Sequence, residues 1–239
     1  MEKTAAGWNV IDRAAGVLSI NYEFTKGAGA TTFAARMTDG KMVIVSPSVG
    51  LNDAIASDLA EFGDVGAIVA NNGFHHLGQA EWRARYPKAR AFAPAMAAAR
   101  IAKKSKTAGE FEPLEALAPL LGTDVGFHDV ENSKLGESWF WAKVDSGYAY
   151  YVSDVLANMP SLPPALMPKF LFWLTKSGPG YSVFHLALKF MVKDKSATLN
   201  ALLADMEMRV PSVVVPGHGP MLTEKDIASK TRDIIKAAL

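Results

Sequence analysis

Along residues 8–48 short β-branched and aromatic runs alternate with Gly-rich or Asp-Gly breaks, a pattern that predicts strands over 8–12, 17–24, 31–37 and 41–46. Asp39-Gly40 suits a tight hairpin, because both residue types tolerate the positive φ such a turn needs. An antiparallel β layer is therefore expected first. The period then changes over 51–63, where Ile55, Leu59 and Phe62 share one helical stripe, Asn52 can cap it and Gly63 can end it. Residues 64–70 form a nearly continuous small apolar run, consistent with a strand buried on both faces. A helix, a break at Tyr86-Pro87, a short strand at 91–93 and a helix over 95–104 follow.

Strand patterning resumes over 125–130, 138–144 and 148–152, with Asp145-Ser146-Gly147 fitting a hairpin, and predicts a second β layer. Residues 156–209 read as mainly helical, over 165–175, 182–192 and 197–208. The first two of these helices are apolar round much of their circumference, which suits deep packing, a subunit contact in a homo-oligomer or a pocket wall; packing is the first expectation. A short strand at 212–215 stops at Pro216-Gly217-His218-Gly219-Pro220, and an amphipathic helix over 224–238, with Thr223 as its expected cap, closes the chain.

A chain of 239 residues, 49% hydrophobic, can bury a large core, and a single domain over 1–239 is expected. The formal charge of +1 argues against a general polyanion binder and so against nucleic acid as a partner. Residues 83–106 nevertheless carry eight basic side chains and no acidic one, for which a solvated face is the plain reading. With no cysteine, disulfides, thiolate nucleophiles and Cys-type zinc sites are excluded, and any metal falls to His, Asp and Glu. No basic segment followed by an apolar one opens the sequence, which makes a cytoplasmic location the expectation. Residues 162–192 are interrupted by Pro, Gly, Lys169, Lys176 and Lys189, so the ~20-residue apolar run of a membrane span is not reached.

His75 and His76 stand just past the carboxyl end of the 64–70 strand, where open α/β sheets commonly place their chemistry. Asp154 follows the 148–152 strand and His218 follows the 212–215 strand. Ligand types that are far apart in sequence, each at a strand exit, suggest convergence on one sheet edge. The remaining histidines, His128 in a strand and His185 in an apolar helix, read as packed or surface residues. Trp82, Trp139, Trp141 and Trp173 read as core.

With these residues in place, the chain resembles the metallo-β-lactamase superfamily. Ala70-Asn71-Asn72-Gly73-Phe74-His75-His76-Leu77-Gly78 occupies the position of the family's Thr-His-x-His-x-Asp-His-x-Gly motif, Val152-Ser153-Asp154 resembles its Gly-Asp, and Val215-Pro216-Gly217-His218-Gly219-Pro220 matches its terminal Pro-Gly-His-Gly. The resemblance implies an α/β (α+β) four-layer αββα sandwich with metals at one edge of two facing sheets. It also implies that the first metal site is stripped. Asn71 and Gly73 replace two of its histidines, and residues 131–137, where the third is expected, contain none. His76, Asp154 and His218 match the second site, and His75 replaces its aspartate with another ligand type.

One divalent ion, with zinc the expected element, suits imidazole and carboxylate donors. The implied activity is metal-dependent hydrolysis of a small-molecule ester, lactone or thioester; the alternative is a non-catalytic binding or scaffold protein of the same fold.

Overall fold

A computed structural model describes residues 2–162 and 166–239. The first β layer is a sheet of eight strands lying side by side in chain order. These are β1 (Glu2–Lys3), β2 (Asn9–Asp12), β3 (Val17–Thr25), β4 (Ala28–Arg36), β5 (Met42–Val45), β6 (Val65–Val69), β7 (Arg90–Ala93) and β8 (Glu112–Pro113). β1 to β5 pair antiparallel through short turns, whereas β5 to β8 pair parallel. Parallel neighbours need crossovers, supplied here by α1 (Asp53–Ala60), α2 (Gln79–Arg85) and α3 (Ala95–Lys104). The Asn52 side chain accepts the Ile55 N–H and caps α1 as expected.

After a short helix α4 (Ala118–Leu121), the second sheet is built from β9 (Val125–Asp129), β10 (Ser138–Val144) and β11 (Gly147–Ser153). A two-strand ribbon follows, β12 (Leu156–Met159) with β13 (Gly180–Val183), enclosing α5 (Leu166–Leu174). Then come α6 (His185–Met191), α7 (Lys195–Met208), β14 (Pro211–Pro216) and α8 (Ile227–Ala238). β14 returns to pair parallel with β11, giving the order β14-β11-β10-β9.

The period of two along the strands creates the layers. Val43 and Val45 of β5 meet Phe140 and Ala142 of β10, Ala149 and Tyr151 of β11, and Val213 and Val215 of β14 in a core between the sheets. Met42 and Ile44 face the other way, into a cluster with Leu59 of α1 and Trp82 of α2. Trp139, Tyr150 and Val214 likewise face Leu188 of α6, Leu202 of α7 and Ile235 of α8. Helices thus cover the outer face of each sheet, which is the expected αββα order.

Some expectations need correction. The helix expected over 182–192 begins only at His185, because the residues before it pair with the segment that follows Asp154, Leu156 opposite Val183 and Asn158 opposite Tyr181. Thr223 is not the cap of the last helix; Asp226 takes the N-cap position and the Glu224 carbonyl accepts the Ile227 N–H. Of the helix expected over 165–175, Ala165 lies outside the described residues. The rest, α5, is not deeply packed: Leu166 is 86% and Trp173 64% exposed. A helix apolar all round has more apolar surface than one neighbour can cover. Trp82, Trp139 and Trp141 are core, as expected.

In the basic stretch Lys88, Lys103, Lys104 and Lys106 are exposed, as a solvated face requires, while the arginines are engaged within the chain. Arg83 donates to the Ala108 and Glu110 carbonyls, Arg85 pairs with Asp53, and Arg90 grips Glu112 with both ends of its guanidinium.

Candidate metal centre

Three chain segments meet where β6, β11 and β14 end. The Gly217 N–H donates to the Ser153 carbonyl at 2.8 Å, and its own carbonyl accepts the Thr31 N–H at 2.9 Å, so the exit of β14 is laced to both sheets. Gly217 is required by closeness: a Cβ there would lie 2.7 Å from the Ser153 carbonyl oxygen and 3.1 Å from Asp154 Oδ1. His218 follows immediately.

His75, Asp154 and His218 converge, each offering one donor atom within 4.8 Å of the other two. Asp154 Oδ1 lies 3.3 Å from His75 Nε2 and 3.1 Å from His218 Nε2. The far sides of both rings are held. Nδ1 of His218 donates to the Gly29 carbonyl at 2.7 Å, while Nδ1 of His75 lies 2.5 Å from Ser46 Oγ and 3.3 Å from the Tyr151 hydroxyl. Because a carbonyl only accepts, the first of these contacts fixes the His218 proton on Nδ1 and leaves Nε2 facing a carboxylate oxygen. Two acceptors at that distance repel unless a proton or a cation lies between them.

The spacings suit a cation. Zinc with ~2.05 Å bonds places tetrahedral ligands ~3.3 Å apart, close to the observed separations. Burial alone would raise the Asp154 carboxyl, but the charges and hydrogen bonds of His75 and His218 overcome it and hold the group well below the usual carboxylate range. Burial pushes His218 down, and Asp154 and the Gly29 carbonyl together raise it above its ordinary value.

His76 lies outside this triplet. Its ring lines the same cavity, its Nδ1 is buried with no hydrogen-bond partner among the described residues, and burial, then the charge of Arg100, pushes it below the ordinary histidine value. His75, the less expected member of the adjacent pair, is the one that faces Asp154. His128 stacks on Trp139 with ring centres 4.2 Å apart, and His185 starts α6; neither belongs to the triplet.

A buried polar network occupies the positions where the resemblance expects first-site ligands. Asn71 Nδ2 donates to Ser153 Oγ, and Asn72 Nδ2 lies 3.1 Å from Asp154 Oδ2, 3.2 Å from Glu137 Oε2 and 3.3 Å from Ser153 Oγ. Asn72 Oδ1 accepts the backbone N–H groups of Phe74 and His75. Glu137 is fully buried; burial first, then the neighbouring Asp154 charge, holds its carboxyl well above the ordinary value. At Gly73 an added Cβ would lie 2.4 Å from Arg100 Cδ, and the Arg100 guanidinium donates to the Gly73 carbonyl and lies over Phe74.

Sequence reasoning passed over Ser46, Asn72 as a positioning residue, and Glu137. A glutamate directly ahead of the buried run Ser138 to Ala142, in the interval where the resemblance expects a ligand, is a signal that could have found the last.

The cavity above the triplet measures about 500 Å³ and is walled by Tyr22, Phe172, Phe184, Leu186, Ala187 and Phe190. A neighbouring cleft of about 600 Å³ shares Phe24, Phe172, Phe184 and His218 with it. Phe24 and Phe184 both set ring edges near the His218 imidazole. Of the roles expected for residues 165–192, the pocket wall is the one seen here, contributed by Phe172 of α5, by Phe184 and by α6.

No family model matches the chain, and no curated protein does. Among solved structures it is similar to TMB-1, at 12% identity and a TM-score of 0.60 over 97% of both chains. It is similar to the metallo-β-lactamase FIM-1 from Pseudomonas aeruginosa in its mono-zinc form, at 11% identity and a TM-score of 0.57 over 97% of this chain and 95% of that one. It is also similar to a fragment of a putative diflavin flavoprotein from Nostoc sp., at 11% identity and a TM-score of 0.53 over 92% of this chain and 91% of that one.

Proposed function

The chain has the metallo-β-lactamase fold, and from that premise we propose that it is a hydrolase using one divalent ion, zinc by donor chemistry, held by His75, Asp154 and His218. The observation that carries the reading is the pair of Nε2 atoms turned onto one oxygen of Asp154 with both Nδ1 atoms secured behind them. Structural neighbours extend from lactamases to a flavoprotein, so fold alone does not choose the reaction. FIM-1 in its mono-zinc form is an example of the fold with one zinc.

When bound, such an ion supplies Lewis acidity toward a carbonyl oxygen and acidifies water. The protein's part is positioning and exclusion. Ser46 and Tyr151 orient His75, Gly29 orients His218, and Asn72 holds the second oxygen of Asp154. Phe172, Phe184 and Phe190 give the substrate an apolar bed and keep bulk water from its acyl side. His76 lines the same cavity, where burial holds it below the ordinary histidine value. Esters, lactones or thioesters with an apolar acyl group fit this wall.

The test is a panel of acyl esters, lactones and thioesters of increasing chain length with zinc-loaded protein. Turnover should favour longer acyl groups and fall by about 100-fold or more in Asp154→Asn and His218→Ala. Inactivity of the loaded protein across the panel contradicts it. The absence of histidine at Asn71, at Gly73 and throughout 131–137, where the resemblance expects first-site ligands, is the observation behind a second reading, a non-catalytic ligand-binding protein. Tight binding of fatty acyl compounds, unaffected by Asp154→Asn and without turnover, would favour that one.

A further inference from the structure

We propose that α5 and the adjoining end of α6 form a docking surface for an anionic lipid membrane, with the mouth of the apolar cavity set at that surface. α5 turns Phe172 inward against Phe184, with ring centres 5.5 Å apart, and leaves Leu166, Met167, Phe170, Leu171, Trp173 and Leu174 exposed. Phe190 of α6 is also exposed and belongs to the cavity wall, as do the exposed Phe74 and Leu77 across the mouth. Bare apolar surface on the outside thus continues into the cavity that holds the triplet. An exposed patch of this kind marks a partner.

Charge selects the partner. Between Asp154 and Asp194 the sequence has no acidic residue, while Lys169, Lys176, Lys189 and Lys193 are all exposed. Lys134 joins them, its Nζ 3.4 Å from the Lys189 carbonyl. A second copy meeting this face about a two-fold axis would set lysines against lysines. An anionic headgroup layer supplies the missing counter-charge, and the acyl region accepts the leucines, phenylalanines and tryptophan; interfacial segments characteristically combine these residue types. No helix of the described residues is long and apolar enough to cross a membrane, so the contact is peripheral.

Trp173 provides the readout. Trp8, Trp82, Trp139 and Trp141 are buried, so a change in tryptophan emission on lipid addition reports mainly on α5. Full-length protein should co-sediment with vesicles of phosphatidylcholine mixed with phosphatidylglycerol, and far less with phosphatidylcholine alone. Its emission should shift to the blue, and binding should weaken steeply with added salt. Lys169→Gln with Lys176→Gln should lower vesicle affinity about 25-fold, taking about fivefold per lysine. Trp173→Glu should lose most binding, read by co-sedimentation, while leaving circular dichroism unchanged, because the side chain is exposed. Asp154→Asn should bind vesicles like the unaltered chain, which separates failure of docking from failure of the hydrolase reading. Absence of vesicle binding, equal binding to both compositions, or a dimer broken by Trp173→Glu without vesicle binding would overturn the proposal.

Discussion

Asn72 touches both halves of the candidate centre, gripping Asp154 Oδ2 with its amide nitrogen and the His75 backbone with its oxygen. Asn72→Ala leaves buried acceptors on Asp154 and Glu137 and two N–H groups without partners. It should destabilise the fold by about 2–4 kcal/mol and lower zinc affinity about 10–100-fold, as read by denaturant unfolding and metal titration. A second residue-scale prediction concerns Asp129, whose carboxyl is pushed up to about 6 by burial and then by the charges of Glu115 and Glu131. The fold favours its protonated form, so stability is present below the ordinary Asp value and is lost as pH rises toward 6. Asp129→Asn should raise the melting temperature at pH 7.5, by roughly 1 kcal/mol after allowance for solvent screening, with the gain vanishing near pH 4. An unchanged difference across that range would contradict the assignment. At this scale the sequence exposed His75, Asp154 and His218 as candidates but ranked His76 above His75, whereas His75 is the one that meets Asp154. Adjacent residues on one loop point differently, and which one meets Asp154 depends on the Asn72 turn and on Ser46, contacts that span the fold.

Among elements, the strand exits carry the function and the glycines make them possible. Gly219 has φ +96°, and a Cβ there would lie 1.7 Å from the Asn158 carbonyl oxygen of β12. Gly219→Ala should cost about 3 kcal/mol or more, seen as a lower denaturant midpoint, because neither the backbone angle nor the space admits a side chain. Trp173→Ser should change stability by no more than about 0.5 kcal/mol despite removing a tryptophan, because α5 presents it to solvent. The strands expected over 138–144 and 212–215 were legible from their β-branched and aromatic apolar runs, since both faces of each are covered. The β12–β13 ribbon was not, because Tyr181 to Val183 becomes a strand only through pairing with residues well upstream. Periodicity also could not tell an all-apolar helix that is buried from one that is bare.

For the whole molecule, two facing sheets with helices outside bring three distant strand exits to one edge. That arrangement follows from strand patterning and from the quoted motifs together, even at 12% identity to a structural neighbour. The difference between one ion and two is also a property of the whole. Asn71 and Gly73 come from the loop after β6 and Glu137 from the segment ahead of β10, and the Arg100 cation lies against Gly73. A second divalent ion would face amides, a carboxyl that burial holds well above its ordinary value, and that guanidinium. The measurement that tests this most directly is elemental analysis of untagged protein after zinc loading and removal of free metal, beside Asp154→Asn and a His75→Ala, His218→Ala double variant. One equivalent of zinc, lost in both variants, is predicted. Two equivalents, or none retained by the unaltered chain, would contradict the one-ion centre.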